Sequence, residues 1–87
     1  MKFIQLTKFN DPGHGWLRVP VTLLNKSLDY GFKPTEYSYS GKKYVYLEED
    51  CDATGFLNIM AAHGYTFAVH YKHTSKPSHI RQKDRLV

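Results

Sequence analysis

In EYSYSGKKYVYLEED, residues 36–50, tyrosines recur at every second position on both sides of a Ser-Gly-Lys-Lys run. Glu36–Tyr39 and Tyr44–Leu47 each alternate with period two, as a strand with one buried side does. Ser40-Gly41-Lys42-Lys43 separates them with the glycine and polar content of a turn. The stretch therefore reads as a β-hairpin. Whether its loop has two residues or four, Tyr39 falls opposite Tyr44 and Tyr37 opposite Tyr46. Directly opposed residues of an antiparallel pair point to the same side. The expectation is one face carrying Tyr37, Tyr39, Tyr44 and Tyr46, with Ser38, Val45 and Leu47 on the other.

Outward from the hairpin, Glu48, Glu49 and Asp50 make the strand exit. Asp52 is placed to cap a helix, because an N-cap oxygen accepts an orphan backbone N–H and negative charge suits the dipole. Phe56, Leu57, Ile59, Met60 and His63 supply that helix's apolar side, and Gly64 its stop. Tyr65, Phe67, Val69 and Tyr71 then alternate with Thr66, Ala68 and His70 in a last strand. On the N-terminal side, Lys2–Phe9 reads as a strand with Ile4 and Leu6 opposing Phe3 and Phe9. Asn10–Gly15 is turn chemistry, with the two glycines available for φ > 0, and Trp16–Val19 is the return arm. Pro20 opens a helix whose stripe is Val21, Leu24 and Leu28, with Leu23 beside it, and Gly31 ends it.

The order is β-β-α-β-β-α-β, a small α+β domain with a mainly antiparallel sheet and two helices on one face. If Trp16–Val19 were only a loop, the connectivity would be ferredoxin-like. Residues 1–72 form the domain and residues 73–87 a basic C-terminal tail. Eighty-seven residues, 41% hydrophobic and 15% aromatic, suffice for one core and no second. The net charge of +4 is not spread evenly. The first 70 residues balance to zero, and the excess lies in Lys72, Lys76, Arg81, Lys83 and Arg85. One cysteine forms no internal disulfide, which suits a reducing compartment. No apolar run is long enough to span a bilayer and the N-terminus lacks a signal-peptide pattern. The expected location is cytoplasmic.

Three runs resemble a family of short uncharacterised bacteriophage and prophage proteins. They are D-P-G-H-G-W-L-x-V-P over Asp11–Pro20, the Y-S-Y…V-Y-L-E-E-D-C-D-A block over Tyr37–Ala53, and H-T-x-x-x-S-x-I-R over His73–Arg81. Gly41 falls one position nearer Tyr39 than the family spacing. The resemblance implies a viral protein acting in the host cytoplasm, an accessory factor of the kind that interferes with host or defence machinery. It implies no activity.

The chemistry-bearing residues divide between ordinary structural duties and a few stronger candidates. Adjacent strand residues point to opposite sides, so Glu48 and Glu49 do not converge on one ion. Cys51 reads as a buried small hydrophobe, since the carboxylates around it oppose negative charge on sulfur. His14, His63, His70, His73 and His79 lack a zinc-ligand spacing. Gly13-His14-Gly15 lacks the rest of a dinucleotide fingerprint and reads as a turn. No catalytic residue, metal or cofactor is expected.

The tyrosine face is the best functional candidate, because tyrosine anchors protein interfaces. With Trp16 and the cations Lys42, Lys43, Arg81, Lys83 and Arg85, it suits an inhibitory or interaction module that binds a host or defence protein. The alternative is a single-stranded nucleic-acid binder that stacks bases on the rings and holds phosphates with those cations. Lys43, Val45 and Glu49 depart from the RNA-recognition strand that Lys42–Leu47 faintly resembles, and the acids at its end repel phosphate. An exposed aromatic face would also suit a homodimer. Ile80, Leu86 and Val87 give the tail something apolar to dock with.

Overall fold

The computed structural model describes residues 2–74, 80 and 83–86. It is a four-stranded mixed sheet with two helices, in the order β1 (Lys2–Asn10), β2 (Gly15–Pro20), α1 (Val21–Asp29), β3 (Tyr44–Glu48), α2 (Asp52–Ala62) and β4 (Tyr65–His73). The strands lie as β3-β2-β1-β4. β2 runs antiparallel to both β1 and β3, and β1 pairs in parallel with β4 along its whole length. α2 therefore carries the chain from one edge of the sheet to the other, the crossover that parallel strands require.

The α+β class and the first hairpin stand as expected, and two finer expectations do not. Trp16–Val19 is strand, which removes the ferredoxin-like connectivity. Glu36–Tyr39 is not a strand: it contributes only isolated antiparallel bridges of Tyr39, to Tyr46 and to Arg85. Along its other edge β3 pairs with β2, with Leu17 opposite Leu47 and Val19 opposite Val45. The observed order is β-β-α-β-α-β, and the sheet is mixed, with two antiparallel pairings and one parallel.

The alternation along each strand settles which side faces the helices. Leu6, Leu17, Val19, Val45 and Leu47 point to one side and pack with Leu23, Leu24, Phe32, Ala53, Phe56, Met60 and Tyr65. Phe56 and Met60 are wholly buried there, as the helical spacing requires. In α1 the buried positions are Leu23, Leu24 and Ser27, so Leu28 turns out to be exposed and the stripe lies further round the helix than expected. Ser27 tolerates burial because its hydroxyl donates to the Leu24 carbonyl at 2.6 Å. Gly31 and Gly64 stop the two helices at φ of 100° and 91°, where a Cβ would be strained. The expected positive φ in the Asn10–Gly15 turn is not adopted. At Gly15 a Cβ would meet only the flexible side-chain ends of Asn10, Glu49 and Lys8, which can shift to admit it.

Neither α1 nor α2 covers the opposite side of the sheet. Phe3, Phe9, Trp16, Arg18, Tyr44, Tyr46, His70 and Lys72 point there by register. A second, smaller cluster forms on it from Trp16, Tyr39 and Ile80, with Phe9 and Tyr46 beside them. Ile80 thus places part of the tail against the sheet. Among the described residues, no helix is long and apolar enough to cross a membrane.

Candidate functional site

The site forms where three loops and the tail meet beside the Trp16 end of β2. The first loop is organised by Asp11, whose carboxylate accepts the backbone N–H groups of Gly13 at 3.0 Å and His14 at 2.9 Å. This turn, of the kind short acidic side chains favour, sets the His14 ring 6.0 Å from Trp16.

The second loop is the one expected to be a strand, and Asp52 explains why it is not. The Asp52 carboxylate is buried and accepts from the Thr35 backbone N–H at 2.8 Å, the Thr35 hydroxyl at 3.0 Å and the Ser38 hydroxyl. Ser38 in turn accepts the Glu48 N–H at 2.9 Å. Thr35–Ser38 is thereby folded into a turn on the helix end, and only Tyr39 reaches the edge of β3. There it exchanges two backbone hydrogen bonds with Tyr46, at 2.9 and 2.8 Å. Gly41 permits the return, because a Cβ would lie 2.7 Å from the Tyr44 carbonyl oxygen.

The third loop leaves β3. Cys51, not Asp52, precedes the first helical residue of α2. The Glu48 carboxylate reaches forward and accepts the Cys51 N–H at 2.8 Å, so Glu48 supplies the cap expected of Asp52. Burial pushes the Glu48 carboxyl up, but the N–H groups of Cys51, Asp50 and Asp52 outweigh that and hold it below 4.5. Cys51 is exposed rather than buried, since the turn lifts it off the core.

The tail closes the site. Ser40 N–H donates to the Asp84 carbonyl at 2.8 Å and Leu86 N–H to the Ser38 carbonyl at 2.9 Å. Between these bonds, the Arg85 guanidinium lies 4.6 Å from the centre of the Tyr39 ring and donates to the Glu36 carbonyl at 3.0 Å. The result is a cavity of about 510 Å³ walled by Trp16, Tyr37, Tyr39 and Arg85. His14, Glu48, Asp50 and Cys51 complete its lining.

No known protein family, curated protein or solved structure matches the chain.

The four tyrosines do not share one face. Tyr39 and Tyr46 are opposed, and Tyr44 lies on the same side two residues along, but Tyr37 is turned out to the cavity rim. Tyr39 is buried, Tyr46 is half-buried and 6.4 Å from Phe9, and Tyr44 and Tyr37 are exposed. Trp16 is buried and meets Tyr39 edge-on at 6.2 Å. Of the cations, Lys83 stands 5.2 Å over Tyr46 and Arg85 over Tyr39, while Lys42 and Lys43 are exposed in the bend before β3. Arg81 lies outside the described residues.

Sequence reasoning passed over His14, Glu48 and Asp50, which the cavity gathers from two turns. It also passed over Arg18, whose guanidinium lies between Phe9 and Tyr44, 5.3 and 4.7 Å from the ring centres. The Trp16-x-Arg18 alternation was the available signal. His63, expected on the apolar side of α2, is instead exposed just past its end, stacked on Tyr30 at 3.7 Å with Nδ1 2.9 Å from the Ile59 carbonyl. Among the described residues, no three His, Cys, Asp or Glu side chains gather closely enough to hold a metal ion.

Proposed function

We propose that the chain is a non-enzymatic binding module that engages a protein partner through this cavity and the ring surface beside it. The observation that carries the reading is the concave wall of Trp16, Tyr37 and Tyr39 around about 510 Å³. Mostly apolar concavities with a few polar groups are where ligands and partner side chains seat. Buried tryptophan and tyrosine anchors dominate interface energetics. Tyr37 is 59% exposed at the mouth, so a ring is already offered to an incoming surface. The partner class we propose is a host or defence protein. Support for that class is the resemblance of three sequence runs to phage and prophage proteins, and nothing else.

The test is affinity capture from infected bacterial cells followed by mass spectrometry, with the wild-type chain and a folded Tyr37→Ala variant side by side. A host protein retained by the wild type and lost from the variant is the expected result. Equal recovery on both would remove the cavity from the reading.

A second reading follows from the face that α1 and α2 leave uncovered. Phe3 and Tyr44 are exposed there, and Arg18, Lys72 and His70 lie among them with few acids. Rings interleaved with cations are how single-stranded nucleic acid is held. Anisotropy titrations with mixed-sequence RNA and DNA decide it: affinity should fall steeply from low to moderate salt. Absence of binding at low salt excludes it.

A further inference from the structure

We propose that the cavity is a guanidinium-recognition pocket for an arginine of the partner polypeptide, and that Arg85 occupies it as an internal stand-in. This rests on the protein-binding reading and names the chemistry that the pocket selects.

Three observations converge. The first is the ring. A cation within about 6 Å of an aromatic centroid is attracted by the ring quadrupole, and Arg85 sits at 4.6 Å from Tyr39. Trp16 packs edge-on against Tyr39 and helps fix it, leaving that ring face for a planar cation. The second is the charge of the rim. Glu48 and Asp50 both line the cavity, and among the described residues Arg85 is the only Lys or Arg that does. With Arg85 withdrawn, the lining would hold two carboxylates, three large rings, His14 and Cys51, a setting complementary to an incoming cation. The third is directional. The Glu36 carbonyl already accepts one guanidinium N–H at 3.0 Å. A guanidinium can stack on a ring and donate from its fork at once, which an ammonium cannot match.

Arg85 is a removable occupant. It is exposed, and flanking backbone bonds at Ser40 and Ser38 hold its short segment. A site that is open only about one-tenth of the time shows an apparent affinity about tenfold weaker than its intrinsic one. The partner's arginine therefore has to displace Arg85, and removing Arg85 should strengthen binding.

The experiment titrates the full chain and its Arg85→Gln variant with a Gly/Ser nonapeptide bearing one central arginine. The same peptide with lysine or norleucine, and free methylguanidinium, serve as comparisons. The Trp16 indole N–H signal in NMR reports occupancy. Arg85→Gln should bind the arginine peptide about tenfold more tightly than wild type. Lysine should bind more weakly than arginine and norleucine least, and Glu48→Gln/Asp50→Asn in the Arg85→Gln background should weaken the arginine peptide. Equal affinity of wild type and Arg85→Gln, or of arginine and norleucine peptides, overturns the proposal. Methylguanidinium binding as tightly as the peptide overturns its polypeptide part. If Arg85→Gln does not fold, Arg85→Lys decides: it keeps the charge and loses the fork, and should still bind the arginine peptide more tightly than wild type. A partner captured in a Tyr37-dependent way alongside a failed arginine titration would sink this inference and leave the binding reading standing.

Discussion

One side of the sheet is sealed by two helices and the other by a turn and a strip of tail, and the two seals differ in substance. On the helix side, aliphatic residues of β2 and β3 interdigitate with Phe56, Met60 and Leu24 in a continuous core. On the tail side, Trp16, Tyr39 and Ile80 make a small cluster rimmed by rings with cations over them. Apolar burial scales with area and close packing, so the first seal carries the stability of the fold. Partly exposed cation–ring contacts are each worth only about 0.5–1 kcal/mol. The second seal, with Trp16, Tyr39 and Ile80 buried in it, is the smaller of the two. A protein this small has little stability to spare.

The largest expected effect breaks the helix side. Phe56 is wholly buried against Phe32 and Phe67, and Phe56→Ala should cost about 3–5 kcal/mol. A domain of this size has about 5–10 kcal/mol in all, so the variant should be mostly unfolded or close to it in urea titrations followed by circular dichroism. A loss under about 1 kcal/mol would mean that the core does not lie where the structure puts it. Next comes the hinge between the two sides. Asp52→Ala strands the Thr35 N–H and the Thr35 and Ser38 hydroxyls, for about 3 kcal/mol at charged-acceptor strength. The same variant should also shift the Trp16 emission, because the turn that presents Tyr37 and Tyr39 loses its anchor. Destabilisation with unchanged emission would separate Asp52 from the site.

This hinge also shows what the sequence could and could not tell. Period-two patterns in Lys2–Phe9, Trp16–Val19, Tyr44–Leu47 and Tyr65–Tyr71 were legible because each strand has one helix-covered side, and alternation records that directly. Gly31 and Gly64 were legible as stops for the same local reason. Glu36–Tyr39 misled because Tyr-Ser-Tyr alternates too, while the deciding contact comes from Asp52, fourteen residues beyond Ser38. A buried carboxylate that binds a distant turn looks in sequence like an N-cap. The cavity was half visible: Trp16, Tyr37, Tyr39 and Arg85 were marked as binding residues, but their gathering with His14, Glu48 and Asp50 depends on tertiary closure by the tail. Cys51 was misjudged because burial of a thiol is a matter of which way a turn faces.

A smaller effect should come from the tail side. Ile80→Ala removes an aliphatic side chain that is 5% exposed against Trp16 and Tyr39. We expect about 2 kcal/mol, the low end for such a truncation, because a surface segment can settle into the gap. Trp16 should become more quenchable by iodide while the helical circular dichroism holds. Loss of helix signal in step with Trp16 exposure would show one cooperative unit and end the contrast between the two seals.

The smallest effect tests the joint at which both seals meet, the Glu48 carboxylate. Burial raises its pKa, and the backbone N–H groups of Cys51, Asp50 and Asp52 lower it by more, so the folded-state value lies below 4.5. The folded protein thus holds this proton less tightly than the unfolded chain does. Its contribution to stability is complete above about pH 4.5 and is lost as the pH falls through the lower folded-state value. Glu48→Gln keeps the shape and removes the charge at the start of α2, for less than about 1 kcal/mol near neutral pH, as for a solvent-accessible cap. The stability gap between wild type and Glu48→Gln in urea should stay level from pH 7 to about 5 and close below that. A gap that persists at pH 3 would mean that Glu48 stabilises the β3–α2 turn by shape alone, and that the N–H groups at the helix start are satisfied elsewhere.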